Sequence, residues 1–313
     1  LIILGGIHAI IAPRDIEDSN FDAFCNAEGE IPLVELCNRM SRNEDIYNIE
    51  GFYFMNGKRV VKNFPGKYIE KLDDLPYRSY DIVDTVNILK EKNGWFSIAF
   101  SRGCPYSCGF CINQKLKEVH RKCNNANYFR RNSVEYAIDE LTINIEKYRK
   151  YIKVINLDDD LLMIDKKWFI EFSDEYEKKI YKVYGIPYAI NGRANLIDEE
   201  TVHYLKKSGC HLIRVGFETG NEELRNNVLG KQLTNSELTR AFGYFRKYKI
   251  RSLAFAMLGI PDENKNSIKE TIDFLVKLRP TLIRLSFFEP YIGTPLYDYC
   301  LEKNLFLDND YCN

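Results

Sequence analysis

One rhythm constrains the fold of this 313-residue chain more than any other feature. From Trp95 onward, a short apolar run ends in a polar or glycine-rich turn, and an amphipathic helical pattern follows. The runs are Trp95–Ser101, Ile152–Leu157, Pro187–Ile190, Leu212–Phe217, Ser252–Leu258 and Leu282–Phe288. Helical patterns stand at Ser133–Tyr148, Lys166–Tyr181, Glu199–Lys207, Ser236–Tyr248 and Ser267–Leu278, and Thr234-x-x-Glu237 has the form of a capping box. Such alternation predicts an α/β fold with a parallel sheet and right-handed crossovers. Six repeats predict an open, partial (β/α)6 barrel rather than a closed eight-unit one.

The turns carry the chemistry. They read Arg102-Gly-Cys104, Asp158-Asp-Asp160, Asn191-Gly-Arg193, Glu218-Thr-Gly220, Gly259-Ile-Pro-Asp-Glu263 and Glu289-Pro-Tyr-Ile-Gly-Thr-Pro295. Parallel sheets bind ligands at the carboxyl ends of their strands, so these turns are expected to converge on one mouth. The first opens Cys104-Pro-Tyr-Ser-Cys108-Gly-Phe-Cys111. A loop this short places three sulfurs around one cluster and does not readily supply a fourth. A cubic iron–sulfur cluster held by three cysteines keeps one iron open to a ligand.

The remaining sequence sets bounds. Lys+Arg (44) and Asp+Glu (45) nearly cancel, so no bulk charge draws the chain to nucleic acid or a membrane surface. The aromatics (13%) come without a basic stripe, which also argues against nucleic acid. No apolar run is long enough to span a bilayer, and Leu1–Leu4 has no basic region before it, unlike a signal peptide. Nine cysteines in a long chain without an export signal imply reduced thiols and a cytoplasmic protein. The chain lacks an initial Met and Leu1 reads as mid-strand, while Leu305–Asn313 closes no element, so both ends read as cut. Residues 1–41 read as the last part of a doubly wound domain. Residues 42–94 read as a connector carrying a hairpin at Asn56-Gly57. The barrel is expected over 95–305, with 306–313 beginning a further region.

The cysteine motif, with Phe110 before its last thiol, resembles the signature of the radical S-adenosylmethionine (SAM) superfamily. Asp158-Asp159, Gly192-Arg193-Ala194, Gly216-Phe-Glu218, Gly259-Ile-Pro-Asp-Glu263 and Gly293-Thr-Pro295 stand where that superfamily places strand-end motifs. Gly5-Gly-Ile-His8 and Glu28-Gly-Glu30 resemble stretches of the class with an N-terminal cobalamin (B12)-binding domain. The resemblance implies that Cys104, Cys108 and Cys111 ligate a [4Fe–4S] cluster. The methionyl amine and carboxylate of SAM would chelate the fourth iron, and reductive cleavage would yield a 5′-deoxyadenosyl radical. By the same resemblance Phe110 faces the adenine, and Asp158 or Asp159 accepts from the methionyl ammonium. Arg193 pairs with its carboxylate, and Glu218 accepts from ribose hydroxyls or the ammonium. Gly259, Ile260 and Pro261 let backbone approach the adenine. Gly5 and Gly6 are the implied contacts to a cobalamin tail. The implied reaction is B12-linked methyl transfer or carbon-skeleton modification of a small molecule, with an electron donor such as flavodoxin or ferredoxin.

Other readings stay open at this point. The radical enzyme could be cobalamin-independent, keeping a degenerate N-terminal domain. His120 and Cys123, close downstream, could complete a zinc tetrahedron, making a zinc or electron-transfer module. Asp158–Asp160 could be helix caps, Arg193 could pair with Glu218, and Glu263 could cap the next helix. Gly5-Gly6 could be a plain tight turn. Cys25, Cys37, Cys210, Cys300 and Cys312 are expected to be buried small hydrophobes.

Overall fold

The six apolar runs do line up as one parallel sheet. In the computed structural model, which describes residues 1–123 and 127–306, the first third contains β1 (Ile3–Leu4), α1 (Ile7–Ile11), β2 (Ala23–Cys25), α2 (Glu30–Ser41), β3 (Phe52–Asn56), β4 (Arg59–Lys62) and α3 (Thr85–Glu91). Next come β5 (Trp95–Ile98), β6 (Ser101–Arg102), α4 (Ile112–Cys123), β7 (Arg130–Arg131), α5 (Val134–Lys147), β8 (Val154–Leu157), α6 (Lys166–Tyr176) and α7 (Lys182–Tyr184). The last part holds β9 (Tyr188–Gly192), α8 (Glu199–Lys207), β10 (Cys210–Glu218), α9 (Asn235–Lys247), β11 (Arg251–Leu258), α10 (Lys265–Leu278), β12 (Leu282–Phe287) and α11 (Pro295–Glu302). The Cys123 side chain, Cys312 and the tail beyond 306 lie outside the described residues.

The chain divides into two compact units interleaved along the sequence. The larger comprises 71–104 and 129–289. Its sheet runs β12-β11-β10-β9-β8-β5, every pair parallel. Each strand pairs with the next in sequence, so successive crossovers step in one direction, the winding of a partial (β/α)6 barrel. The inner strands are buried, and Ile155, Leu157, Ile190, Ile213, Val215, Phe217 and Ala254 join helix residues such as Phe169, Phe172, Leu238 and Phe242 in one core. The helices begin where side chains satisfy orphan N–H groups: Ser133, Asp165, Asp198 and Asn264 cap α5, α6, α8 and α10, and the Thr234–Glu237 capping box opens α9.

The structure departs from the expected run at Trp95–Ser101. The strand ends at Ile98, and Ser101–Arg102 leaves the sheet to pair antiparallel with Arg130–Arg131. Its last ladder bond runs from the Asp158 N–H to the Ile98 carbonyl. Beyond it, side chains and Asn132 take over the backbone groups of Ala99–Ser101. The run expected as a helix to Tyr181 is helical to Tyr176 and then relaxes into a π-helical turn, Glu177–Tyr181.

The smaller unit comprises 1–70, 105–128 and 290–313. Its sheet has the order β1-β2-β3-β4. β1 and β2 are parallel; β3 and β4 form an antiparallel hairpin that turns at Asn56-Gly57, with Gly57 at φ 63°. Ala23, Cys25, Leu36, Phe52 and Phe54 form one small core, and Ala9, Ile16 and Phe24 another. Among the described residues no helix is long and apolar enough to cross a membrane.

Candidate active site

Four of the expected site segments occupy the carboxyl ends of neighbouring strands in the larger unit. Asp158 and Asp159 follow β8, Arg193 follows β9, Glu218 closes β10, and Gly259–Pro261 follow β11. Cys104 belongs to this unit as well, immediately after Gly103 at φ 84°. Asp158 is exposed and lies close enough to Arg214 to favour that guanidinium's charge, which burial disfavours. Asp159 differs from its neighbour: it is 2% exposed, and its Oδ1 accepts from the Phe100 N–H at 2.8 Å, the Ser101 N–H at 2.5 Å and the Ser101 hydroxyl at 2.6 Å. Burial pushes its carboxyl up to about 6 against the pull of those bonds and of Arg78. The helix-cap reading of the aspartate triplet does not hold for the next α-helix, since α6 is capped by Asp165.

Arg193 is 6% exposed and donates through Nη2 to the Lys231 and Gln232 carbonyls. Glu218 is gripped by a cation the sequence did not point to: its Oε1 accepts from Lys231 Nζ at 2.5 Å, with both side chains largely buried. Glu218 reaches this pose from a left-handed backbone, φ 65°, where β10 shifts register against β11. A Cβ on Gly216 would stand 2.4 Å from Glu218 Oε1 and 2.5 Å from the Lys231 ammonium, so a larger residue there makes these flexible side-chain ends shift. Lys231 lies in the loop before α9, with no motif around it to mark it in the sequence. No sequence signal marks Arg225 either, which is fully buried and donates to the Leu233 carbonyl and the Asn235 side chain. Burial lowers its pKa to about 10.

After β11, Gly259 takes φ 77° and a Cβ there would meet open space. Its N–H donates to Glu263 Oε2 at 2.6 Å, so Glu263 closes the Gly259–Glu263 turn, while Asn264 caps α10. Ile260 and Pro261 are buried in the turn.

Cys108 and Cys111 belong to the smaller unit. Cys108 is buried and Cys111 half-buried. The Cys111 N–H donates to the Cys108 carbonyl at 3.0 Å, and α4 begins one residue later. Cys111 thus sits at the start of a helix. Asn113 Nδ2 donates to Cys111 Sγ at 3.8 Å and is itself held by the Tyr128 hydroxyl at 2.7 Å. Lys117 ties back to the Pro105 carbonyl at 2.9 Å. Phe110 is half-buried between the two cysteines. His120 is buried against the rings of Tyr68 and Tyr128, at 4.5 and 5.4 Å between centroids.

In the same unit, Gly6 at φ 89° caps α1, and Gly5 ends β1. His8 pairs with Asp15 at 2.9 Å. Glu28 accepts from the Ile69 N–H at 3.1 Å, and Glu30 opens α2. Of the scattered cysteines, Cys25, Cys210 and Cys300 are buried. Cys37 is not: it lies on the outer face of α2, exposed to solvent.

Three cysteines at this spacing, one at a helix start with a side-chain amide on its sulfur, are the donor set a three-cysteine cluster requires. Among the described residues no three His, Cys, Asp or Glu side chains gather as ligands of a single metal ion. A cubic cluster has no such need, because its thiolates bind three different irons. The strand-end groups likewise suit a zwitterionic nucleoside: an exposed carboxylate, a cationic pair and an open glycine turn. Gly5 and Gly6 form the turn between β1 and α1.

The model of the radical SAM superfamily matches residues 98–275, and the chain belongs to that superfamily. Its members use a [4Fe–4S] cluster and SAM, as the cysteine loop led us to expect. The chain is 28% identical over 308 residues to an uncharacterised methyltransferase of Pyrococcus horikoshii, covering 98% of this chain and 64% of the relative. It is 26% identical over 311 residues to the anaerobic magnesium-protoporphyrin IX monomethyl ester cyclase of Cereibacter sphaeroides, covering 95% and 48%. It therefore spans about half to two thirds of the length of these relatives. Its fold matches the radical SAM methyltransferase TsrM of Kitasatospora setae, solved with cobalamin and a [4Fe–4S] cluster, at TM-score 0.79 and 18% identity over 96% of this chain and 59% of that one.

Proposed function

We propose that this chain is the radical-generating part of an enzyme that cleaves SAM reductively and uses the outcome for methyl transfer or carbon-skeleton modification of a small molecule. The observation that carries the reading is the three-cysteine loop leading out of a parallel sheet whose neighbouring strand ends bear Asp158, Arg193, Glu218 and the Gly259 turn. Cys104, Cys108 and Cys111 would hold the cluster. A bound cluster supplies one electron to the SAM sulfonium, delivered to it by a small carrier such as flavodoxin or ferredoxin.

The chain's own residues bind and orient. Asp158, exposed at the mouth, accepts from the methionyl ammonium. Arg193 stands beside the Glu218–Lys231 pair, so the methionyl carboxylate meets a site with two cations and one anion. Glu218, pinned by Lys231, presents its remaining lone pairs to ribose hydroxyls. The Gly259–Pro261 turn offers backbone to the adenine, and Phe110 a ring face.

Methyl transfer is supported by the Pyrococcus relative, named a methyltransferase, and the relative named a cyclase supports carbon-skeleton modification as the second outcome. The link to cobalamin is supported by a solved neighbour that carries it. The test is anaerobic reconstitution with iron and sulfide, then reduction in the presence of SAM and a panel of small molecules. We expect broad visible absorbance, release of 5′-deoxyadenosine, and loss of both in Cys108→Ala. A product heavier by one methyl selects transfer. A colourless protein that binds zinc stoichiometrically and leaves SAM intact refutes the proposal. Titration with hydroxocobalamin, followed by a shift in the corrin spectrum, tests the cobalamin link.

A further inference from the structure

Asp159 stands in the same strand-end turn as Asp158 but points elsewhere. Its Oδ1 takes three hydrogen bonds, all from Phe100 and Ser101. Its Oδ2 is buried without a hydrogen-bond partner among the described residues, and the residue is 2% exposed. One oxygen is thus fully used by the segment before Cys104, and the other is closed off from solvent. Its main chain is held too, because Asn191 Nδ2, from β9, donates to the Asp159 carbonyl at 2.7 Å.

The segment it grips is the one that leaves the sheet. The opposite flank of that segment is gripped as well. Arg78 Nη1 donates to the Ala99 carbonyl at 2.5 Å, and its guanidinium carbon stands 5.4 Å from the Phe100 ring centroid. Arg78 is itself oriented by Glu140, which is fully buried and accepts from Nε at 3.0 Å and Nη2 at 2.8 Å. The Asn132 N–H donates to the Phe100 carbonyl at 2.8 Å. The backbone polar groups from the Ala99 carbonyl to the Ser101 N–H are thus committed to neighbours outside their own strand. Two residues further on, Gly103 turns at φ 84° and Cys104 follows.

We propose that Asp159 is a positioning residue for the cluster loop: with Arg78 opposite, it clamps Ala99–Ser101 and so sets where Cys104 emerges. This rests on the radical SAM reading for the meaning of Cys104, but the clamp is testable without it. A ligand-binding Asp159 and a clamping Asp159 predict different losses.

The experiment compares wild type, Asp159→Ala, Asp159→Asn and Ser101→Ala. Amide hydrogen exchange at Phe100 and Ser101 is measured in the cluster-free chain, and iron and sulfide per chain and the cluster's electron paramagnetic resonance after anaerobic reconstitution. Asp159→Ala removes both amide acceptors, so exchange at these two amides should rise about tenfold or more. Iron retained should fall, or the resonance should shift, while SAM affinity of the loaded fraction stays within about twofold. Asp159→Asn keeps an acceptor at Oδ1 and should restore exchange and cluster content; Ser101→Ala, which removes one bond of three, should fall between. Should Asp159→Ala not fold, Asp159→Asn and Ser101→Ala carry the comparison. Unchanged exchange and cluster content in Asp159→Ala, with SAM binding weakened tenfold or more, overturns the clamp. Failure of the wild type to take a cluster would sink the functional reading instead, leaving the exchange result to decide the clamp.

Discussion

At the scale of single residues, the two adjacent aspartates show how much a side chain's role depends on where its neighbours lie. Asp158 is exposed and Asp159 is buried, though nothing in Asp158-Asp-Asp160 distinguishes them. Burial has a measurable consequence. The Asp159 carboxyl is raised from the ordinary value, 3.8, to about 6, mainly by desolvation. Between those values the folded chain keeps a proton that the unfolded chain has lost. Its contribution to stability is therefore complete below the unfolded value and declines as pH rises through the folded one. Relative to Asp159→Asn, which cannot ionise, wild type should lose roughly 2 kcal/mol between pH 4 and pH 7. Urea denaturation of both proteins across that range checks it; a constant difference would show that Asp159 titrates normally.

At the scale of elements, the strand–helix rhythm was legible because each element's pattern is local. The capping box at Thr234 opened its helix as read, and α8 runs over the residues its periodicity marked. The departures came where a side chain from a distant element competes for backbone groups. The first strand stops three residues short for that reason, with Asp159 and Arg78 taking what the sheet would have taken. A similar contact governs the end of β10. A Cβ on Gly220 would stand 2.5 Å from the Thr271 Cα and 2.6 Å from the Glu270 carbonyl oxygen, both main-chain atoms of α10. Neither can swing aside, so Gly220→Ala should push α10 from the sheet and destabilise the larger unit by about 1–3 kcal/mol. Thermal or chemical denaturation reads this directly, and an unchanged midpoint would mean that α10 yields freely.

At the scale of the whole molecule, the larger unit's sheet has an edge that an isolated parallel sheet rarely shows. β12 reads Leu-Ile-Arg-Leu-Ser-Phe and is exposed along its whole length, with Phe287 83% and Leu285 54% exposed. Val276 and Ile272 on α10 are exposed as well. Uncovered apolar edges pair with other chains. The chain as it stands should associate with concentration, and Leu285→Lys with Phe287→Lys should reduce that association without lowering the unfolding midpoint. Light scattering across a dilution series distinguishes this from a chain that stays monomeric regardless.

The boundary between what could be read along the chain and what needed three dimensions follows from the range of the interactions. Cysteine spacing, hydrophobic periodicity and glycine turns act over a few residues, so the cluster loop, the barrel winding and the strand-end turns were all visible in one dimension. Pairings that span tens of residues were not. Glu218 could as well have met Arg193 as Lys231; the register shift at the end of β10, with the backbone of Glu218 at φ 65°, aims it at Lys231. Asp159 could as well have faced a ligand as the segment before Cys104, until the pairing of β5 with β8 set the two side by side. The local code names the groups that do chemistry, and packing decides which of them are left free to do it.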